Sequence, residues 1–136
     1  MTNETARRAS RSRNILAVQR QLQRVEEQRL AEIKRRANSL AELETELIEL
    51  LNTEDTMRGL LTFTGVRRLS MVQSEMARVE EHRQAQAERL IAQTSRMKLA
   101  EKLSAEAEAD ARKAQDQQDL SEAIERFLRN YNASLP

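Results

Sequence analysis

The chain has 136 residues, with 23 Lys plus Arg against 22 Asp plus Glu, no Cys, no Trp, two Gly, one Pro, two Phe and one Tyr. A third of the residues are charged and aromatics are nearly absent, which is too little large apolar surface for a compact globule of this length. Two glycines and one terminal proline leave almost nothing for tight turns, phosphate-cradling loops or a many-stranded sheet, so most enzyme classes are excluded. A net charge of only +1 and the dominance of Leu, Ala, Glu, Gln and Arg favour long helices over disorder.

The absence of Cys removes disulfides, thiolate metal sites and cysteine nucleophiles together, and it fits a reducing compartment, so a cytoplasmic protein is expected. The longest uncharged run, Gly59 to Val66, has eight residues, against the roughly 20 that a bilayer-spanning helix needs. Arg7, Arg8, Arg11 and Arg13 lead into a charged helical pattern instead of the apolar stretch of a secretion signal. The chain is therefore expected to stay where it is made.

The pattern predicts an all-α, antiparallel two-helix coiled-coil hairpin with a longer second helix. Helix one, with its basic arm, is placed at residues 1–52. Ile15, Val18, Leu22 and Val25 form an apolar stripe at 3-4-3 spacing. Arg29 and Glu32 then interrupt the strict heptad, and Leu30, Ile33, Ala37, Leu40, Leu43, Leu47, Leu50 and Leu51 carry the stripe onward, the drift expected of a nearly straight helix.

Residues 53–65 contain both glycines and several threonines and are read as the turn. Its glycines would take the left-handed conformation that ends a helix, with Thr53, Thr62 or Thr64 accepting hydrogen bonds from the free amides of the next helix.

Helix two is placed at 66–131, with a tail over 132–136. Its stripe is strict: Leu69, Val72, Met76, Val79, Arg83, Gln86, Leu90, Gln93, Met97, Ala100, Ser104, Ala107, Ala111 and Ala114. The occupants shrink along it, so residues 100–114 should lie close against a partner helix while burying little each. If the turn centres on Gly59, the chain after about residue 118 has no intrachain partner. Yet Leu120, Ile124, Phe127, Leu128 and Tyr131 form a further apolar stripe, which asks for another protein.

Charge is blocked along the chain: ten basic against four acidic residues over 1–37, six acidic and no basic over 38–56, eight basic against four acidic over 57–98, and five basic against eight acidic over 99–136. A parallel in-register dimer would stack like on like, whereas folding back sets opposite blocks side by side. His82 is the only histidine, and nothing completes a metal or acid/base site around it, so it is read as a solvated surface residue. Glu42, Glu46 and Glu49 are read as the wet face of helix one. No catalytic residue, cofactor or metal is assigned.

Three readings follow from these features. The hairpin tip gathers Met57, Leu60, Leu61, Phe63, Val66 and Met71, more apolar groups than closing a turn requires, and is a candidate docking patch. With the C-terminal stripe this makes two partner-binding ends, the pattern of a linker or rotor. A second reading is a generic scaffold or adaptor that dimerises through the C-terminal stripe. A third is a nucleic-acid binder using the arm from Arg7 to Arg13, which the neutral chain and the hairpin turn disfavour.

Over residues 15–131 the chain resembles the stalk proteins of type III export, FliJ in flagella and YscO in injectisomes. The resemblance rests on the size and order of the hairpin. It rests also on the stretch Arg96-Met97-Lys98-Leu99-Ala100-Glu101-Lys102-Leu103, leading through Gln115, Gln117 and Gln118 to Asp119-Leu120. It implies a non-enzymatic cytoplasmic protein, peripheral to the inner-membrane export apparatus. Such a protein couples a hexameric export ATPase to the export gate protein and assists export chaperones, with no nucleic acid and no membrane insertion. Carried over, Arg7, Arg8, Arg11, Arg13, Ile124, Phe127 and Leu128 would contact the ATPase ring. Met57, Leu60, Leu61 and Phe63 at the tip, or Leu69, Val72 and Met76 at the start of helix two, would meet the gate.

Overall fold

A computed structural model describes the backbone of residues 2–53 and 58–136 and the side chains of residues 3–53 and 63–136. Two helices account for nearly all of it: α1, Thr2–Thr53, and α2, Arg58–Ala133. They pack against each other as a helical hairpin, with no strand among the described residues. Ends are closed by local hydrogen bonds. Thr53 Oγ1 donates to the carbonyls of Glu49 (3.0 Å) and Leu50 (3.3 Å), and the Ser134 amide and hydroxyl donate back to Asn130 and Tyr131 carbonyls at the end of α2.

The helices contribute to two units, residues 23–93 and residues 1–22 with 94–136. In the first, Leu40, Leu47, Val72 and Val79 form the buried core, with Ile33, Ala37, Leu43, Leu69 and Met76 packed on it. Each large aliphatic side chain contributes about 1.5–3 kcal/mol of burial as an upper figure. Toward the other end of this unit the seam turns polar. Gln86 and Gln93 are buried, and Gln86 Nε2 donates both to the Glu26 carbonyl (3.2 Å) and to Glu26 Oε2. Gln23 donates to Glu27, while its own Oε1 is buried without a hydrogen-bond partner.

In the second unit the seam is mostly small residues, with Leu16, Gln19 and Met97 the larger ones. Ala9, Leu16, Ala100, Ser104 and Ala107 are buried, and Thr5, Ser12, Gln19, Ala111 and Ala114 are half-buried. The shrinking second-helix stripe is thus borne out residue by residue. Alanine buries about one methyl, worth less than 1 kcal/mol, so this unit gains little from its seam.

Two expectations are corrected. The turn does not extend over residues 53–65, because Asn52 and Thr53 complete α1 and α2 begins at Arg58. Thr53 accordingly donates to its own helix and does not cap the next. No glycine among the described residues has positive φ. Gly65 is helical, and a Cβ added there would stand 2.6 Å from Leu51 Cδ2. Close approach of the two helices is what this glycine provides, not a left-handed turn.

The second correction concerns α1. Ile15, Val18 and Leu22 are exposed. Buried or half-buried residues run Thr5, Ala9, Ser12, Leu16, Gln19, Gln23, Glu26, Leu30, Ile33, Ala37, Leu40, Glu44, Leu47 and Leu51, an unbroken alternation of four and three, with Val25 and Leu43 half-buried beside it. There is no drift; α1 keeps a strict heptad whose first half is filled by small and polar residues.

Candidate partner-binding surfaces

The seam fixes which flank each remaining residue occupies. Between α1 and α2, Arg13 pairs with Glu108 (3.4 Å) and Arg20 with Glu101 (3.8 Å). In the heptad these four positions immediately follow a seam position and lie on one flank, as e positions do in an antiparallel pair. In the unit of residues 23–93, Arg36 pairs with Glu75 (3.6 Å), both immediately preceding a seam position, as g positions do in an antiparallel pair. Arg13–Glu108 and Arg20–Glu101 join the basic first block to the acidic last one, as folding back requires, whereas Arg36 and Glu75 come from two blocks that are both net basic. These pairs are solvent-exposed and contribute at most about 1 kcal/mol each.

In the unit of residues 1–22 and 94–136, the flank opposite Arg13 and Arg20 is apolar. Ile15, Val18 and Leu22 on α1 and Leu99 and Leu103 on α2 occupy it, each between 44% and 57% exposed. Reading the sequence for apolar identity misassigned the first three to the seam. The available signal was the heptad itself: stepping back from Leu51, Leu47, Leu40 and Ile33 by fours and threes lands on Gln23, Gln19, Leu16, Ser12 and Ala9, not on Ile15 and Val18.

Beyond Gln115 every residue of α2 is exposed. Leu120, Ile124, Phe127, Leu128 and Tyr131 stand on this bare helix, Phe127 at 68% exposure, with the Phe127 and Tyr131 rings stacked at 6.5 Å between centroids. Ile124, Phe127 and Leu128, expected to bind a partner, are thus accessible. The basic arm is helical. Arg8 lines a shallow groove with Glu4, Thr5, Asp110 and Lys113, Arg7 and Arg11 line another with Asn3, Glu4 and Ser10, and Arg13 is held by Glu108.

At the tip, Phe63, Val66 and Met71 are exposed. Met57 and the side chains of Leu60 and Leu61 lie outside the described residues. Val72 is buried, and Leu69 and Met76 pack on the same core cluster, so in the hairpin these three serve the helix–helix seam.

His82 is exposed and lines a shallow cleft with Glu32, Ile33, Arg36, Glu75 and Arg78. Among the described residues no group of three His, Cys, Asp or Glu side chains is placed to hold a metal ion. Arg83 occupies a seam position as a cation and is neutralised locally: its Nε and Nη2 donate to Glu80 at 2.9 and 2.6 Å. These hydrogen bonds hold the Glu80 carboxyl below its ordinary range.

No protein-family model, curated protein or solved structure matches the chain. Among the described residues, no helix is long and apolar enough to cross a membrane.

Proposed function

We propose that this chain is a non-enzymatic component of flagellar or type III protein export. On this reading it is a cytoplasmic coiled-coil stalk, peripheral to the inner-membrane export apparatus, that couples the hexameric export ATPase to the export gate protein and assists export chaperones. The observation that carries the reading is the bare segment of α2, where Ile124, Phe127 and Leu128 stand exposed on a continuous helix. A row of large apolar groups on solvated helix is stabilised by a complementary groove on another protein. Arg7, Arg8 and Arg11 add a cationic edge in the same unit, suited to acidic groups on the ATPase ring. At the tip, the exposed Phe63 is the surface assigned to the gate, with Met57, Leu60 and Leu61 beside it in sequence.

The test is ATPase stimulation. Combining Phe127→Ala with Leu128→Ala removes two exposed side chains, so helicity by circular dichroism stays at the parent value while stimulation of the export ATPase falls at least tenfold. Full stimulation by the double variant contradicts the assigned contact.

A further inference from the structure

The unit of residues 1–22 and 94–136 carries two apolar surfaces that its own seam leaves uncovered, and they suit each other. One is the flank on which Ile15, Val18 and Leu22 of α1 and Leu99 and Leu103 of α2 stand exposed, along the groove that any two packed helices leave between them. The second is the row Leu120, Ile124, Phe127 and Tyr131 on the bare part of α2. In the heptad of α2 that row falls on the same flank as Leu99 and Leu103, not on the seam; only Leu128 continues the seam. Both surfaces repeat at the alternating four and three of a helix that packs knobs into holes.

Charge complements this match. Residues 1–22 hold five arginines against Glu4, and residues 115–136 hold four acidic residues against two arginines. Groove and row are centred about 26 residues apart on α2, roughly 39 Å. Two copies laid antiparallel, related by a two-fold axis near residue 113, therefore seat each row in the other copy's groove at the same time. The register sets Ile15, Val18 and Leu22 of one copy beside Ile124, Phe127 and Tyr131 of the other. Arg8 and Arg11 then lie level with Asp116 and Asp119. At the axis Lys113 of each copy lies within a turn of Asp110 of the other, and both residues line the same shallow groove. On either side of the axis the two-helix part of one copy lies against the single helix of the other, so the pair closes as two three-helix bundles that meet where the starts of the two α1 helices lie against α2.

We infer that this chain self-associates as a two-fold antiparallel pair, the 120–131 row of each copy docking between α1 and α2 of the other. Such a closed, isologous pair satisfies both surfaces and leaves none to propagate. Ile124 and Phe127 are also the side chains proposed to meet the ATPase ring, so the second copy and the ring are alternative occupants of this row; sedimentation of the chain alone tests the pair whether or not the export reading holds.

Sedimentation equilibrium of the full chain from about 1 to 200 µM tests it. A reversible dimer is expected, and Val18→Glu in the groove and Ile124→Glu in the row are each expected to weaken it at least tenfold without changing helicity. An equimolar mixture of the two variants gathers both defects into one of the two contacts, so it should dimerise more tightly than either variant alone. A monomer throughout the range, or a dimer indifferent to Val18→Glu, overturns the proposal; the latter result assigns association to row-on-row contact instead. No rescue in the mixture overturns it as well.

Discussion

Gly65 and Gln86 show how single seam residues set this hairpin. Gly65 faces Leu51 closely enough that an added Cβ displaces the leucine side chain. An alanine there gains about 1 kcal/mol of helix propensity and gives part of it back in moving Leu51. Gly65→Leu gains nearly as much propensity but must place a whole isobutyl group where a Cβ alone already meets Leu51. It is expected to destabilise the hairpin by about 1–3 kcal/mol, the range for overpacking a filled site, read as a lowered urea midpoint with unchanged slope. A midpoint at or above that of the parent would show that the two helices are not in close contact at this point. Gln86 acts oppositely, spending burial on hydrogen bonds to Glu26. A polar group at a seam position fixes register at some expense of stability. Glu26 is also held by Arg29 at 3.1 Å, so its buried edge is satisfied on both sides.

Along each element, the two units differ in what they bury. Residues 33–47 of α1 and 69–79 of α2 share an aliphatic core, whereas residues 5–16 and 100–111 meet through alanine, serine, threonine and one leucine. Local opening free energy follows buried apolar area. Amide exchange at about 1 µM protein is therefore expected to be at least tenfold slower in 33–47 and 69–79 than in 5–16 and 100–111. Equal or inverted protection would contradict the assignment of the stabilising core.

The same contrast explains what was legible in sequence. The α2 seam was readable to the residue, because its period is strict and large aliphatics anchor one end. The first half of α1 was not, because Ile15, Val18 and Leu22 offer a stronger apolar signal than the Ala9, Ser12 and Gln19 that are actually covered. The sequence overstates the turn because a glycine signals φ freedom and close packing alike, and Gly65 serves close packing. The exposed 120–131 stripe was legible as unpaired, whereas its place on the groove flank emerges only once the seam is fixed.

At the scale of the molecule, each unit has its own register: within residues 23–93 it brings Gly65 against Leu51 and Arg36 against Glu75, and within residues 1–22 with 94–136 it pairs Arg13 with Glu108 and Arg20 with Glu101. Alternating charge blocks select the antiparallel orientation. The seam, filled with small residues at one end, spares Ile15, Val18, Leu22 and the 120–131 row for contacts outside it. Everything proposed for partners and for self-association depends on that register. Since the chain has no cysteine, paired substitutions read it without background. Ala9→Cys with Ala107→Cys places two thiols at facing, buried seam positions, and Val18→Cys with Ala100→Cys places them where the apolar stripe of α1 would meet α2 if that stripe were the seam. Under mild oxidation the account predicts a rapid, near-complete intramolecular disulfide for the first pair and little for the second. A second pair that closes readily while the first does not would put Ile15, Val18 and Leu22 inside the hairpin and contradict the account at its centre.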